Sequence, residues 1–190
     1  MRFWKQSLPC LLFAAAVAAG DQLFKHWLVQ RLALHEQLPV FPGVLHLTRT
    51  HNTGAAFSML NSVPWLLTAV SAVAVVLLLA YLLRWCRLGM VGRLAMAGVL
   101  GGAVGNLIDR ITAGYVVDMF EVEFVRFAVF NVADCFITVG GIVFCICFIV
   151  EYGRGDRTLR ARPMPELERL KSGAAGPAAA EKTEQKEHED

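Results

Sequence analysis

The chain has 190 residues, of which 56% are hydrophobic and only 18% charged, with a mean hydropathy of +0.50. A soluble domain of this length needs more polar surface, and the charges here thin out between Leu8 and Val150 and crowd into the last forty residues, the pattern of a membrane domain with a solvated tail. A net charge of +2 is too small to argue for nucleic acid, and neither a zinc-like cysteine spacing nor a phosphate-binding glycine loop is present.

In chain order, four apolar segments are predicted to form helices: Leu8–Leu28, Val63–Leu83, Leu94–Ile108 and about Ala128–Val150. A spanning helix needs about 20 residues. The second segment meets that length without a charge. The strictly apolar parts of the third and fourth (Phe136–Val150 in the fourth) fall short, so they must carry Asp109 and Arg110, or Asn131 and Asp134, to membrane depth. Ionisable residues there are costly and usually functional. The first segment follows a charged Met1–Lys5, and Ala16–Gly20 resembles a small-residue cleavage site. Apolar character continues past Gly20 through Leu23, Phe24, Trp27 and Val29, which favours a retained helix.

Orientation follows from the basic residues. Arg2 and Lys5 precede the first helix, Arg84, Arg87 and Arg93 link the second to the third, and Arg154, Arg157, Arg160 and Arg162 follow the fourth. Both termini are therefore expected in the cytoplasm, with the two longer loops outside. In the first outer loop, Val44–Thr50 alternates enough for a short strand. In the second, Tyr115–Phe130 reads as strand or as an interfacial helix. The domain reading is a four-helix membrane unit over 1–150 and a polar, disordered tail over 151–190, with disorder clearest from Lys171.

Asp134 lies in Phe130-Asn131-Val132-Ala133-Asp134, one turn after Asn131. Both residue types favour helix N-termini, so a cap explains one of them well and the pair less well. Taken alone, Asp134 is as readily a cap as a catalyst. Asp118, in Gly114-Tyr115-Val116-Val117-Asp118, reads alone as a solvated loop carboxylate. Topology puts both on the same outer side, and two carboxylates meeting in a partly desolvated site can share one proton at neutral pH. The ionised member then takes a proton from water while the protonated one polarises a carbonyl.

Gly98, Gly101, Gly102 and Gly105 suit close helix approach in lipid. Asn106, Asp109 and Arg110 follow at helical spacing and read as structural support. Asp21 and Lys25, four apart in the favourable order, read as an ion pair tethering a helix end. Asn52-Thr53-Gly54-Ala55-Ala56-Phe57-Ser58 reads as a turn into the second helix, with small residues that let a peptide backbone approach. The five cysteines, Cys10, Cys86, Cys135, Cys145 and Cys147, are irregularly spaced and expected to be reduced and mostly structural. Nothing pairs a histidine with Cys135, and no HExxH spacing occurs, so cysteine- and zinc-protease readings are weak.

The ordered set Asp21-Gln22-Leu23-Phe24-Lys25, Asn52–Ser58, Gly105-Asn106-Leu107-Ile108-Asp109-Arg110, Gly114–Asp118 and Phe130–Asp134 resembles the lipoprotein signal peptidases, the type II signal peptidases, over about Leu8 to Val150. The resemblance implies a four-transmembrane-helix bundle with a small extracytoplasmic β-cradle and an interfacial loop or helix. It implies an aspartic endopeptidase of the bacterial inner membrane, with Asp118 and Asp134 as the catalytic pair. Asn106, Arg110 and Asn131 match positions close to that pair, and Asp21, Lys25 and Asn52 match more loosely. It further implies a diacylglyceryl-prolipoprotein substrate cut before the lipidated cysteine, membrane lipids as surroundings, and no metal or organic cofactor; a monomer is expected. Cys135 departs from the serine frequent in the family. The rival classes are a proton-coupled transporter, disfavoured by acids gathered at one face and the lack of a repeat, and a non-catalytic scaffold.

Overall fold

The computed structural model describes residues 2–54, 64–86 and 88–160. The element order is α1 (Arg2–Arg31), β1 (Gln37–Phe41), β2 (Leu45–Asn52), α2 (Pro64–Arg84), α3 (Met90–Thr112), β3 (Val116–Val122) and α4 (Val132–Arg160). All four helices are long and apolar enough to cross a membrane. The third and fourth reach that length by incorporating polar residues: α3 runs through Asn106, Asp109 and Arg110, and α4 begins immediately after Asn131. In α1 the helix passes through Ala16–Gly20 without a break. The compact unit that holds the bundle ends at Ile149, and α4 continues to Arg160. Residues 161–190, on which the expectation of disorder falls, and Ala55–Ser58 of the expected turn lie outside the described residues.

The helix α3 is the central strut, the most buried of the four spans. Its glycines serve two opposite neighbours. A Cβ on Gly101 would meet the Ala14 carbonyl oxygen of α1 at 2.5 Å, and one on Gly102 would meet the Ala133 carbonyl oxygen of α4 at 2.5 Å. Backbones this close exploit the absence of side-chain bulk, because lipid offers no hydrophobic drive for helix association. One apolar core cluster joins Cys10, Ala14, Leu82, Met96, Ala97 and Leu100 from α1, α2 and α3. The exteriors of α2 and α4 are apolar and exposed, as in Val70, Val73, Val76 and Leu77, and Val139, Ile142, Ile146 and Ile149.

The three strands form one antiparallel sheet in the order β1-β2-β3. The expected strand at Val44–Thr50 is β2, and the second outer loop is strand β3 followed by an irregular loop rather than a helix. The edge strand β1 is exposed along its whole length and contains Pro39, a residue tolerated in a sheet at an edge. Between Leu47 and Thr50 the β2–β3 register shifts: Leu47 pairs with Phe120, yet Thr50 pairs with Asp118. Two residues of β2 thus face one of β3, a bulge. Because strand side chains alternate, this shift puts Thr50 and Asn52, rather than Arg49 and His51, on the face that carries Asp118. Beneath the sheet, Leu28, Leu32, Leu47, Val117 and Met119 pack as a second core cluster.

At Gly105 a Cβ would lie 2.7 Å from Asp21 Oδ2, whereas at Gly20 nothing lies within 4 Å. Gly105→Ala is therefore expected to destabilise the protein by about 1–3 kcal/mol through overpacking. Gly20→Ala should be neutral or stabilising, by up to about 1 kcal/mol of helix propensity. Thermal unfolding of the two variants in one detergent checks the contrast.

Candidate active site

Asn131 is the N-cap of α4 and Asp134 is its third helical residue, and the two form a reciprocal capping box. The Asp134 backbone N–H donates to Asn131 Oδ1 at 2.9 Å, and the Asn131 backbone N–H donates to Asp134 Oδ2 at 3.2 Å. The cap reading of Asp134 is thus correct as far as it goes. The same asparagine also reaches outward: its Nδ2 donates to Asp118 Oδ1 at 2.6 Å. Asn131, fully buried, is the residue that ties the helix start to β3 and both aspartates to each other.

The remaining oxygens of the pair are also held. Asn52 Nδ2 donates to Asp118 Oδ2 at 2.9 Å, and its own Oδ1 accepts the Gly54 backbone N–H at 3.0 Å, which fixes the amide's orientation. Asn106 Nδ2 donates to Asp134 Oδ1 at 2.8 Å. Each carboxylate oxygen has two lone pairs. With one hydrogen bond apiece recorded from these donors, each oxygen has capacity left for a water or a substrate. Asp118 is 2% exposed, and that burial raises its pKa to about 6; the nearby charge of Asp134 adds to the rise, and the Asn52 and Asn131 donors oppose it.

Behind the pair lies a buried ionic knot. Lys25 Nζ sits 2.7 Å from Asp21 Oδ2 and 2.8 Å from Asp109 Oδ2, and donates to Asn106 Oδ1 at 3.1 Å. The expected Asp21–Lys25 pair is present, and Lys25 rather than Arg110 is the cation that answers Asp109. Both acids also hold backbone. Asp21 Oδ1 accepts the Ala133 N–H of α4 at 2.9 Å, and Asp109 Oδ2 accepts the Val117 N–H of β3 at 3.1 Å. The elements bearing Asp134 and Asp118 are thus both anchored to one lysine. Gln22 extends the knot, donating to the Gly105 carbonyl at 3.1 Å and to Asp109 Oδ1 at 2.7 Å. Sequence reasoning passed over it, although a glutamine one position from Asp21 in an apolar helix was a signal available to it. Arg110 is set back: it donates to the Asn106 carbonyl at 3.4 Å, and its guanidinium lies within electrostatic range of Asp134, Asp118 and Asp109.

Cys135, exposed, helps line an apolar groove of about 390 Å³ together with Phe13, Gly98, Phe136, Val139 and Gly140 among others. Its thiol and those of Cys86, Cys145 and Cys147 are free. Among the described residues, no three His, Cys, Asp or Glu side chains gather closely enough to hold a metal ion.

A polytopic membrane bundle with one aspartate on a small sheet and another at a helix start, linked through one asparagine, defines a class of protein, and comparison places it. The sequence profile described as Signal peptidase (SPase) II matches residues 13–150. A lipoprotein signal peptidase of Streptococcus pyogenes serotype M6 is 41% identical over 140 residues, covering 74% of this chain and 92% of that protein. The corresponding protein of serotype M5 is 39% identical over the same shares. Two solved structures, each described as a bacterial membrane enzyme, superpose with TM-scores of 0.71 and 0.68 at 25% and 26% identity. They cover 77% and 74% of this chain, and 90% and 92% of the solved chains. The chain belongs to the signal peptidase II family.

Replacing Lys25 by Met would leave Asp21 and Asp109 buried without a cation, at a cost of about 3–5 kcal/mol. The variant is expected to unfold at markedly lower temperature, and the double replacement Lys25→Met with Asp109→Asn to recover part of the loss. Thermal melts of wild type, single and double variants measure both.

Proposed function

We propose that this protein is an aspartic endopeptidase that removes the signal peptide from diacylglyceryl-modified prolipoproteins, cutting before the lipidated cysteine, with Asp118 and Asp134 as its catalytic pair. The observation that carries the reading is Asn131, whose side chain and backbone bind both carboxylates at once. Family membership and the names of the streptococcal relatives support the substrate class. The basic residues flanking the helices support cytoplasmic termini, and so an extracytoplasmic site at the end of the bundle that bears the sheet.

The surroundings of the two acids suggest distinct roles. Asp118 is buried among neutral amide donors, and burial raises its pKa to about 6. Asp134 is joined through the Asn106 amide to the Lys25 ammonium, and it sits at the start of α4. In the competent state Asp134 is the base and Asp118 the acid. Asp134 removes a proton from water as the water oxygen attacks the scissile carbonyl, and Asp118 gives its proton to the carbonyl oxygen. The tetrahedral diol then collapses. The C–N bond breaks, the departing amine takes the proton from Asp134, and one diol hydroxyl returns its proton to Asp118. Atoms and charges balance without a cofactor. A membrane-level site suits a substrate whose acyl chains remain in lipid while only the peptide bond and a water reach the carboxylates.

Two expectations follow from these roles. Asp118→Asn and Asp134→Asn should each slow processing of a lipidated precursor by about 100-fold or more while leaving the protein folded, as read by gel shift and thermal melting. A transporter would lose flux without accumulating precursor, and a scaffold would tolerate both changes, so wild-type processing by both variants would remove the assignment. The competent free enzyme carries one proton on Asp118. Hence kcat/KM should fall as pH rises through about 6, with the slope of a single proton. A flat profile between about pH 5 and 8 would contradict the division of labour.

A further inference from the structure

Asn52, which donates to Asp118, is the last residue of β2, and its ladder partner Val116 is the first residue of β3. No rung lies beyond this pair, and the ends of elements are where structure opens first. The hydrogen bond from the Gly54 N–H to Asn52 Oδ1 orients the amide without tying one strand to the other. An additional tie lies on the face of the sheet away from Asp118. There His51, which pairs with Val117, stacks its ring on that of Tyr115, the residue before β3, with centroids 3.8 Å apart and planes inclined by 22°. Diagonal neighbours across two strands are within reach of aromatic side chains. Tyr115 in turn packs against the core cluster of Leu28, Leu32, Val117 and Met119, so the stack connects the end of β2 to that core.

The surroundings of His51 suit packing rather than proton transfer. Its Nε2 is buried and has no hydrogen-bond partner among the described residues. Burial lowers the imidazole pKa, and the nearby charges of Arg49 and His35 lower it further. The neutral ring is thus the favoured form, an aromatic plate laid on Tyr115, and no step of the proposed chemistry uses it.

We propose that His51 and Tyr115 are positioning residues: their stack, behind the sheet, holds the end of β2 in register with β3 and so keeps the Asn52 amide on the Asp118 carboxylate. The effect reaches Asp118 through Asn52 and not through the charge of the imidazole. Its meaning for catalysis rests on the proposed role of Asp118. The Asn52 donor stabilises the ionised carboxylate, against the burial that disfavours it. Loosening that amide therefore shifts Asp118 toward its protonated form, and the alkaline limb of kcat/KM moves with it to higher pH. Asp118 also feels the charges of Asp134, Lys25 and Arg110, all of which the variants below retain.

The test titrates Asp118 itself by NMR, in the full chain in nanodiscs, isotopically labelled at the aspartate carboxyl carbon. The Asp118 signal is assigned by its loss in Asp118→Asn, and its wild-type midpoint is expected near 6. His51→Ala should raise the midpoint by about 0.5–1 pH unit, because a donor to the ionised carboxylate is loosened. Asn52→Ala should raise it at least as far, and adding His51→Ala to Asn52→Ala should raise it no further. His51→Phe, which keeps a ring for the stack, should stay at the wild-type midpoint. A folded His51→Ala protein with an unmoved midpoint would overturn the inference. So would a shift that adds to that of Asn52→Ala or is matched by His51→Phe, since the imidazole would then act by its charge. If His51→Ala does not fold, Tyr115→Leu breaks the stack from the other strand and is read in the same way. No substrate enters the titration. A shifted midpoint in a protein that processes no precursor sustains this inference and removes the proposed function, and an unmoved midpoint in an active protease does the reverse.

Discussion

A single buried ammonium organises this protein. Lys25, 3% exposed, meets Asp21, Asp109 and Asn106, and each of these partners leads to a different part of the site. Asp21 leads to the first turn of α4, Asp109 to the start of β3 and Asn106 to Asp134. Dehydrating three charges costs several kcal/mol per ion, so such a cluster is a poor source of stability by itself. Its return lies in the ordering it imposes: moving either aspartate away from the lysine leaves a buried charge uncompensated. With all three ionised, the knot carries one surplus negative charge, and the N–H groups at the start of α4 lie where they offset it.

At the start of α4 a stability device and the proposed chemical one would occupy the same atoms. A capping box normally satisfies orphan N–H groups and nothing more. Here the N-cap asparagine keeps an amide donor free for Asp118, and the box's acid remains half-exposed with Asn106 on its other oxygen. The cap alternative and the catalytic one therefore do not compete. The Asn131 backbone N–H, which needs an acceptor, holds the Asp134 carboxylate still, the rigid support that the proposed acid pair would require.

Much of this was legible in one dimension, because membrane constraints act residue by residue. An apolar run without charges has few alternatives to a spanning helix, and polar residues that interrupt such runs stand out by their cost. Asp21, Lys25, Asn106, Asn131 and Asp134 were visible for that reason, and Gly101, Gly102 and Gly105 because small residues in an apolar helix suit close approach. The strand β1 was not legible. Its five residues are all exposed, so no burial alternation marked it, and Pro39 argued against a strand. Nor was the cation for Asp109: Arg110 adjoins it in sequence, but Lys25 on another helix reaches it at 2.8 Å.

The sequence by itself determined the four helices and the set of polar residues they must carry, since each follows from local hydropathy and spacing. It could not determine who binds whom. That Asn52 shares a face with Asp118 depends on a bulge, a parity change set by packing between strands rather than by any local pattern. That Asn131 serves both acids depends on β3 and α4 both being anchored, through Asp109 and Asp21, to the same lysine. Such contacts join residues up to 112 positions apart, and only the folded chain decides them.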